Sequence, residues 1–248
     1  MKFRLKAFGL HASASFALLS LIFGSLYAGW YRWPGWYLTG VFHVVLIVAM
    51  VDIVLGPTLT LIVANPGKPR PALARDIAVI VAVQLVALIY GAATLWLGRP
   101  LYYTFSVDRL QIVQASDLDG ADVARARKQN PVLAPYWYTL PRWVWAPLPE
   151  NADEAARIVR STLVGGHDVI QMPSYFKPWE QAPLRDHLER VGETKQLTPS
   201  ERQRLRGRMS ELGLATDQRN SLVLWGDVRR VLVVFDPGTL RVRAILKP

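Results

Sequence analysis

The chain has 248 residues, of which 51% are hydrophobic, and its formal net charge at pH 7 is +10. It contains no Cys, which excludes disulfides and thiolate metal sites. Residues 101–248 carry a net charge of only +4 (21 basic minus 17 acidic residues), with both signs mixed and no basic groove lined by stacking aromatics, which argues against a nucleic-acid partner.

The first 100 residues contain three apolar stretches, at about 8–29, 36–64 and 77–97, and each approaches or exceeds the roughly 20 residues that a helix needs to cross a bilayer. The first follows the basic start MKFRLK, which is also typical of a signal peptide. Its length, and the lack of a small residue three positions before a cleavage site, favour a retained helix. We therefore predict a three-helix transmembrane domain over residues 1–100.

The positions of Lys and Arg predict the orientation of these helices. Basic residues precede the first stretch and lie between the second and third, whereas the loop WYRWPGWY contains only Arg32. The positive-inside rule then places the N-terminus in the cytoplasm and the chain after Arg99 outside the cytoplasm. The Trp and Tyr residues of the first loop predict an aromatic belt at the lipid headgroups.

The second apolar stretch contains an acid, Asp52, and a helix breaker, Pro57, within six residues. Its 16 Leu, Ile, Val and Phe residues contribute about −0.3 to −0.6 kcal/mol each to insertion, against about +2.5 to +3.5 for a central Asp, so insertion is favoured. Pro57 removes a helical hydrogen bond and predicts a kink just after Asp52. Thr58, Thr60 and Tyr90 are the polar groups expected to satisfy the exposed backbone.

Two interpretations of Asp52 remain open. It fixes the packing of the three helices through a hydrogen bond, or it is a docking contact for a partner helix. An intramembrane aspartyl protease would need a second membrane carboxylate, which is missing. A proton relay would need a chain of ionisable groups, yet His11 and His43 are expected near opposite faces of the membrane.

Residues 101–248 are predicted to form a periplasmic α+β domain. Two strands are expected around Asp108 and Arg109, helices at about 120–128, 152–164 and 199–212, and a strand pair or trio over 221–248. Thr198 with Glu201 predicts a capping box at the start of the last helix. The segment 130–149 resists regular assignment because its prolines break either pattern. Its Tyr and Trp residues predict either a core lining or a protein-binding surface.

Catalytic motifs are missing from this domain, which has no GxSxG, HExxH, P-loop or GxGxxG sequence. His167 and His187 each stand beside an Asp, but neighbours in sequence are not a spaced ligand set. We therefore predict no enzyme, no cofactor and no metal. The basic run 202–208 is expected to be the solvated face of a helix, with contact to anionic headgroups as the alternative.

Four stretches resemble, in this order, the type IV pilin accessory proteins, also called TfpZ or FimB-like: MKFRLKAFGLHASAS, DIVLGPTLTLIVANPGK, ARDIAVIVAVQLVALIYG and RPLYYTFSVDR. The similarity is strong over roughly residues 1–115, and later it rests on the YTLPRW region and the closing strands. The resemblance implies an inner-membrane protein encoded beside a major pilin that helps to assemble the pilin into pili. It implies no catalytic residues.

The sequence thus predicts three transmembrane α-helices followed by an α+β extracytoplasmic domain, in a non-catalytic protein that assists a type IV pilin. The predicted partners are the major pilin and membrane lipid. The alternatives are a membrane-anchored periplasmic ligand sensor and a membrane enzyme. The candidate partner-binding residues are Asp52, Pro57, Tyr90, Tyr136, Trp137, Trp143 and Trp145.

Overall fold

The computed structural model describes all residues from Met1 to Pro248. The α-helices are α1 (Lys2–Gly29), α2 (Gly35–Thr39), α3 (Phe42–Ala49), α4 (Gly56–Val63), α5 (Arg70–Leu97), α6 (Gly120–Gln129), α7 (Ala152–Leu163) and α8 (Pro199–Glu211). The strands are β1 (Pro100–Ser106), β2 (Arg109–Gln114), β3 (Arg142–Trp145), β4 (Lys177–Pro178), β5 (Ser221–Trp225), β6 (Arg230–Phe235) and β7 (Val242–Leu246). A π-helix spans Met50–Leu55, and 3-10 turns span Ala115–Asp117, Val169–Gln171, Pro173–Tyr175, Trp179–Gln181 and Leu184–Asp186.

The chain divides into two compact units: residues 1–32 with 40–98, and residues 33–39 with 99–248. The first unit contains three helices that are long and apolar enough to cross a membrane, at Lys2–Gly29, Phe42–Val63 and Arg70–Leu97. The second unit is the α+β domain. The three apolar helices and the α+β domain predicted from the sequence are therefore confirmed.

Small residues let the second and third apolar helices approach closely. A side chain on Gly91 would overlap Val48, and one on Gly56 would overlap the amide of Gln84. Leu19, Val48 and Leu88 form a small buried cluster between the three helices. Most of the large apolar side chains of the first unit are exposed, as expected of helices that pack through small residues and leave bulky ones for lipid.

The second unit is built on one mixed sheet with the strand order β4-β3-β1-β2-β5-β6-β7. β1 pairs antiparallel with β2 and parallel with β3, and β2 pairs parallel with β5. β5, β6 and β7 form an antiparallel meander, which confirms the strands predicted near the C-terminus. β3 lies in segment 130–149, for which no regular element was predicted. It forms because parallel pairing with β1 supplies its hydrogen bonds, and no local sequence pattern indicates that pairing.

Both faces of this sheet are covered. Strand β6 is therefore buried on both sides, and its sequence is a continuous apolar run. Val231, Val233 and Phe235 point into one core cluster, which also contains Phe105. Leu232 and Val234 point to the opposite face. There they meet Leu205 and Met209 of α8. A strand buried on both faces has no polar alternation, so periodicity alone does not distinguish it from a buried helix.

The predicted capping box at the start of α8 is confirmed. The N–H of Thr198 donates to Oε2 of Glu201 at 2.7 Å, and the N–H of Glu201 donates to Oγ1 of Thr198 at 3.3 Å. The Glu201 carboxylate also pairs with Arg230 on β6 at 2.9 Å. The Thr198 N–H, followed by its hydroxyl and the Arg230 guanidinium, holds the pKa of Glu201 below its ordinary value.

Residues 33–39, which the predicted division at residue 100 counts with the membrane part, pack in the second unit. Leu38 of α2 is fully buried in the core cluster that contains Phe105. Its carbonyl accepts a hydrogen bond from the N–H of Val228 at 3.2 Å. Gly226 is required beside it, because a Cβ there would overlap Leu38. Segment 33–39, which contains the end of the first loop and the predicted start of the second apolar stretch, is thus a structural part of the domain, a role that the aromatic-belt interpretation did not include.

Candidate functional site

Asp52 lies in the π-helical stretch of the second apolar helix. The N–H of Gly56 donates to the carbonyl of Val51, five residues earlier. The next donor in this series would be residue 57, but Pro57 has no N–H, so the carbonyl of Asp52 receives no bond from it. π-Helical turns inside α-helices are frequently found at functional sites. Where the sequence predicted a kink after Asp52, the structure places this π-helical stretch around it.

Gln84 of α5 supplies the missing hydrogen bond. Its Nε2 donates to the backbone carbonyl of Asp52 at 3.1 Å and to the carboxyl Oδ1 at 3.4 Å. Because a carbonyl oxygen only accepts, the first bond fixes which end of the amide faces Asp52. Both residues are buried, with Asp52 4% and Gln84 7% exposed. Sequence analysis missed Gln84, although a single amide in an apolar span was a signal for a polar contact between helices.

The other polar residues of the first unit are placed differently from the expectation. The ring of His11 on α1 contacts Oγ1 of Thr60 through Nδ1 at 2.7 Å. Thr58 donates to the carbonyl of Val54 within its own helix. Tyr90 is 75% exposed and contributes nothing to the Asp52 contact, so the prediction that it satisfies this region is wrong. Its exposure leaves it free to contact a partner, which remains a prediction.

A cavity of about 190 Å³ lies between α1 and α5, with Asp52 at its lining. His11, Ser15 and Gln84 are its other polar residues, and Ala and apolar side chains complete the wall. Oδ2 of Asp52 and Oε1 of Gln84 have no hydrogen-bond partner. A buried polar atom left unpaired costs about 1–3 kcal/mol. The first unit therefore has unsatisfied polar groups beside a space between two of its helices.

The aromatic residues of segment 130–149 separate into two groups. Trp143 and Trp145 lie on β3 and pack, partly buried, against the core of the second unit. The ring centroid of Trp143 is 4.8 Å from that of Tyr103 and 5.1 Å from that of Trp179. Burial raises the pKa of Tyr103, so its phenol stays protonated in this stack. These two tryptophans line the core, and their predicted contact with a partner stays a prediction.

Tyr136 and Trp137 lie in the loop between α6 and β3. Trp137 is 71% exposed, and the neighbouring Tyr138 ring stacks on Tyr136 with centroids 5.6 Å apart. The guanidinium of Arg127 lies 5.5 Å from the Tyr136 ring centroid and donates to the carbonyl of Pro135 at 3.1 Å. The loop is thus held by local bonds while it presents a large ring to the outside. Exposed aromatics on an ordered loop are typical of protein-binding surfaces.

The histidines singled out by sequence have structural surroundings. The His187 ring lies 5.4 Å from the ring of Phe105, and Asp168, beside His167, forms an ion pair with Arg109. Asp168 also caps the 3-10 turn at Val169–Gln171. The structure contains no group of three or more His, Asp or Glu side chains arranged to hold a metal ion.

Three helices apolar enough to cross a membrane, joined to an α+β domain with exposed aromatics, define a candidate membrane-anchored binding protein. Among curated proteins, the chain is similar to fimbrial assembly proteins of Dichelobacter nodosus. It is 31% identical to that of serogroups C1 and C2 over 116 residues, which are 47% of this chain and 88% of the relative. The chain belongs to this family of type IV fimbrial accessory proteins, and the resemblance seen in the sequence is confirmed.

Two longer relatives show the same relationship. The fimbrial assembly proteins of serogroups I and E1 of Dichelobacter nodosus are each 27% identical to this chain over 177 residues, or 70% of its length. The match spans 66% of each of these relatives, just under two thirds. No family model matches the chain. No solved structure matches it either.

Proposed function

We propose that this chain is a non-catalytic inner-membrane accessory protein that assists the assembly of type IV pili by holding pilin subunits before they polymerise. The observation that carries this proposal is the similarity to fimbrial assembly proteins, which extends over 88% of one relative. The exposed Trp137 loop supports a protein-binding role for the outer domain. The exposed Tyr90 of α5 supports a contact with a partner helix.

The hold on a pilin subunit has to be reversible, because the subunit must leave for the pilus. Polar contacts between helices in lipid contribute only about 0.6–2 kcal/mol each, which suits a temporary neighbour. Transient contacts also bury less surface than obligate ones. Tyr90 on the first unit and Trp137 on the second are exposed side chains suited to such contacts.

The first prediction concerns topology. With the basic residues at the N-terminus and between the second and third helices in the cytoplasm, alkaline phosphatase fused after Lys247 should be active, and fused after Lys68 it should be inactive. Both fusions are compared at equal protein level. The opposite pattern of activity would overturn the proposed orientation and with it a periplasmic role.

The second prediction concerns the partner. Deleting the gene should reduce surface pili while pilin synthesis continues, because the subunits would lack their holding protein. A photocrosslinking amino acid at Tyr90 or Trp137 should yield an adduct with the pilin in living cells. Both positions are exposed, so the substitution leaves the core intact. Asp52 is a poor position for the crosslinker because it is buried.

Leu163 is the matched control for the crosslinking, since it is 80% exposed at the end of α7, outside the proposed contact residues. A crosslinker there should give little or no pilin adduct. Normal piliation in the deletion strain, together with no pilin adduct from Tyr90 or Trp137, would contradict the proposal and favour the ligand-sensor alternative.

A further inference from the structure

A groove of about 520 Å³ in the second unit is lined only by cationic, aromatic and apolar side chains. Trp33 forms part of the wall, Arg204 and Arg208 of α8 line another part, and Ile245, Lys247 and Pro248 complete it. Two positive charges of α8 and a third just after the end of β7 therefore line one concave place. The sequence showed only the basic run of α8, since neither Trp33 nor Lys247 is near it along the chain.

Lys247 is held in the groove by three aromatic rings. Its Nζ lies 5.1 Å from the ring centroid of Trp33, 5.1 Å from that of Trp36 and 4.8 Å from that of Tyr37. The Trp33 indole is itself fixed, because its Nε1 donates to the carbonyl of Ile245 at 3.3 Å. An ammonium within about 6 Å of a ring centroid is attracted to the ring without being neutralised. The cation thus has a defined place in the groove.

The cations of the groove are poorly compensated. Neither Arg204 nor Lys247 forms an ion pair. Arg208 pairs with Glu211 at 3.1 Å, but both side chains are about two-thirds exposed, where such a pair contributes little. Like charges that converge without counter-charge repel each other, and a bound anion relieves that repulsion.

We infer that this groove binds the phosphate of an anionic phospholipid headgroup. Guanidinium and ammonium groups are the side chains that recognise phosphate oxygens through charge-assisted hydrogen bonds. The Trp33 indole adds an amphipathic ring of the kind enriched at the level of lipid headgroups. The inference rests on the proposed membrane location of the three apolar helices.

Chain length supports a lipid as the source of the phosphate. Trp33 follows Gly29, the last residue of α1, by four residues, and four residues span at most about 14 Å. The headgroup layer on each side of a bilayer is about 5–8 Å thick. Four residues therefore suffice to bring Trp33 to the headgroup layer where α1 ends at the membrane surface.

The test uses the full chain purified in an uncharged detergent. Native mass spectrometry and the thermal unfolding midpoint are recorded with added phosphatidylglycerol, with diacylglycerol of the same acyl chains, and with inorganic phosphate. We expect phosphatidylglycerol alone to remain bound and to raise the midpoint. Equal binding of diacylglycerol would show that the acyl chains suffice and would overturn the headgroup assignment. An equal effect of inorganic phosphate would assign the groove to a free anion instead.

Two variants locate the effect. Arg204→Gln with Arg208→Gln removes two charges and leaves the rings around Lys247 intact, and it should weaken the binding of phosphatidylglycerol at least tenfold. The matched control, Arg160→Gln with Lys195→Gln, removes two exposed charges of the same unit that do not line the groove, and it should bind like the wild type. A third variant, Arg204→Lys with Arg208→Gln, covers the case in which the two variants differ in unfolding midpoint without lipid. It keeps one of the two charges and should recover part of the binding.

Equal lipid binding by the groove variant and its control would overturn the inference, because the charges would then act only through the net charge of the protein. The readouts contain no pilin. Normal piliation in the deletion strain would therefore refute the proposed function and leave the lipid result unchanged. Absence of lipid binding by the groove would refute this inference and leave the proposed pilin contact unchanged.

Discussion

Replacing Leu38 by alanine is expected to lower the free energy of unfolding of the α+β domain by about 2–5 kcal/mol, the usual range for a fully buried leucine in a core. Leu38 is 0% exposed and packs in the core cluster with Phe105. The cavity left by the Leu38 side chain would not close easily, because the Leu38 carbonyl accepts a hydrogen bond from Val228 and the Leu38 backbone packs against Gly226. The residue lies in α2, far from the rest of the domain along the chain.

Denaturant unfolding of the full chain, followed by the near-ultraviolet signal of the domain's tryptophans, measures this effect. Leu163→Ala is the matched control, because it removes the same atoms from a side chain that is 80% exposed. The control should change the stability by no more than about 0.5 kcal/mol. Equal midpoints for Leu38→Ala and Leu163→Ala would show that α2 does not belong to the folded domain in solution.

A fragment of residues 99–248 is expected to be less stable than the full chain for the same reason. It lacks Leu38 and also Trp33, Trp36 and Tyr37, which surround Lys247. The fragment should gain stability when a peptide of residues 33–39 is added, because binding to the folded state alone stabilises it.

The second large effect is expected at Asp52. Asp52→Lys should lower the free energy of unfolding of the three-helix unit by about 3–5 kcal/mol, since it leaves an uncompensated charge in a buried position. The Nε2 of Gln84, a donor, would then face an ammonium that cannot accept its bond. Protein level in membranes and the unfolding midpoint in detergent should both fall.

Asp52→Asn is the matched control, because it keeps the shape and an oxygen that accepts from Gln84. It should remain within about 1 kcal/mol of the wild type. Asp52→Leu separates packing from hydrogen bonding, since the Gln84 bond to the backbone carbonyl persists while the bond to the side chain is lost. If Asp52→Leu matched the wild type in both protein level and surface pili, neither interpretation of Asp52 would stand.

Composition and local pattern were sufficient for the three apolar helices and for the α+β class of the second unit. The three apolar helices follow from runs of Leu, Ile and Val, because a helix that satisfies its own backbone needs no information from the rest of the chain. The start of α8 follows equally from Thr198 and Glu201, whose reciprocal bonds involve only four consecutive residues. The pilin-accessory resemblance also belongs to the sequence, and the comparison with fimbrial assembly proteins agrees with it.

The candidate site was predicted only in part. Asp52 and Pro57 were recognisable because an acid and a proline are conspicuous in an apolar helix. Gln84 was not, since its role depends on the carbonyl that Pro57 leaves without a donor, and on the space that Gly56 provides. Tyr90 was expected to satisfy the backbone near Asp52, but the position of a residue along a helix does not give the rotation of that helix, and the structure turns this side chain outward.

By itself, the sequence determined the three apolar helices, the presence of an α+β domain, and the local caps and turns, because these depend on neighbouring residues. Tertiary structure alone decided that Leu38 completes the core of the domain and that Trp143 lines it while Trp137 faces outward. It also decided that Lys247 meets Arg204 in one groove. Contacts between residues so far apart along the chain follow from strand order and packing, and no local pattern contains them.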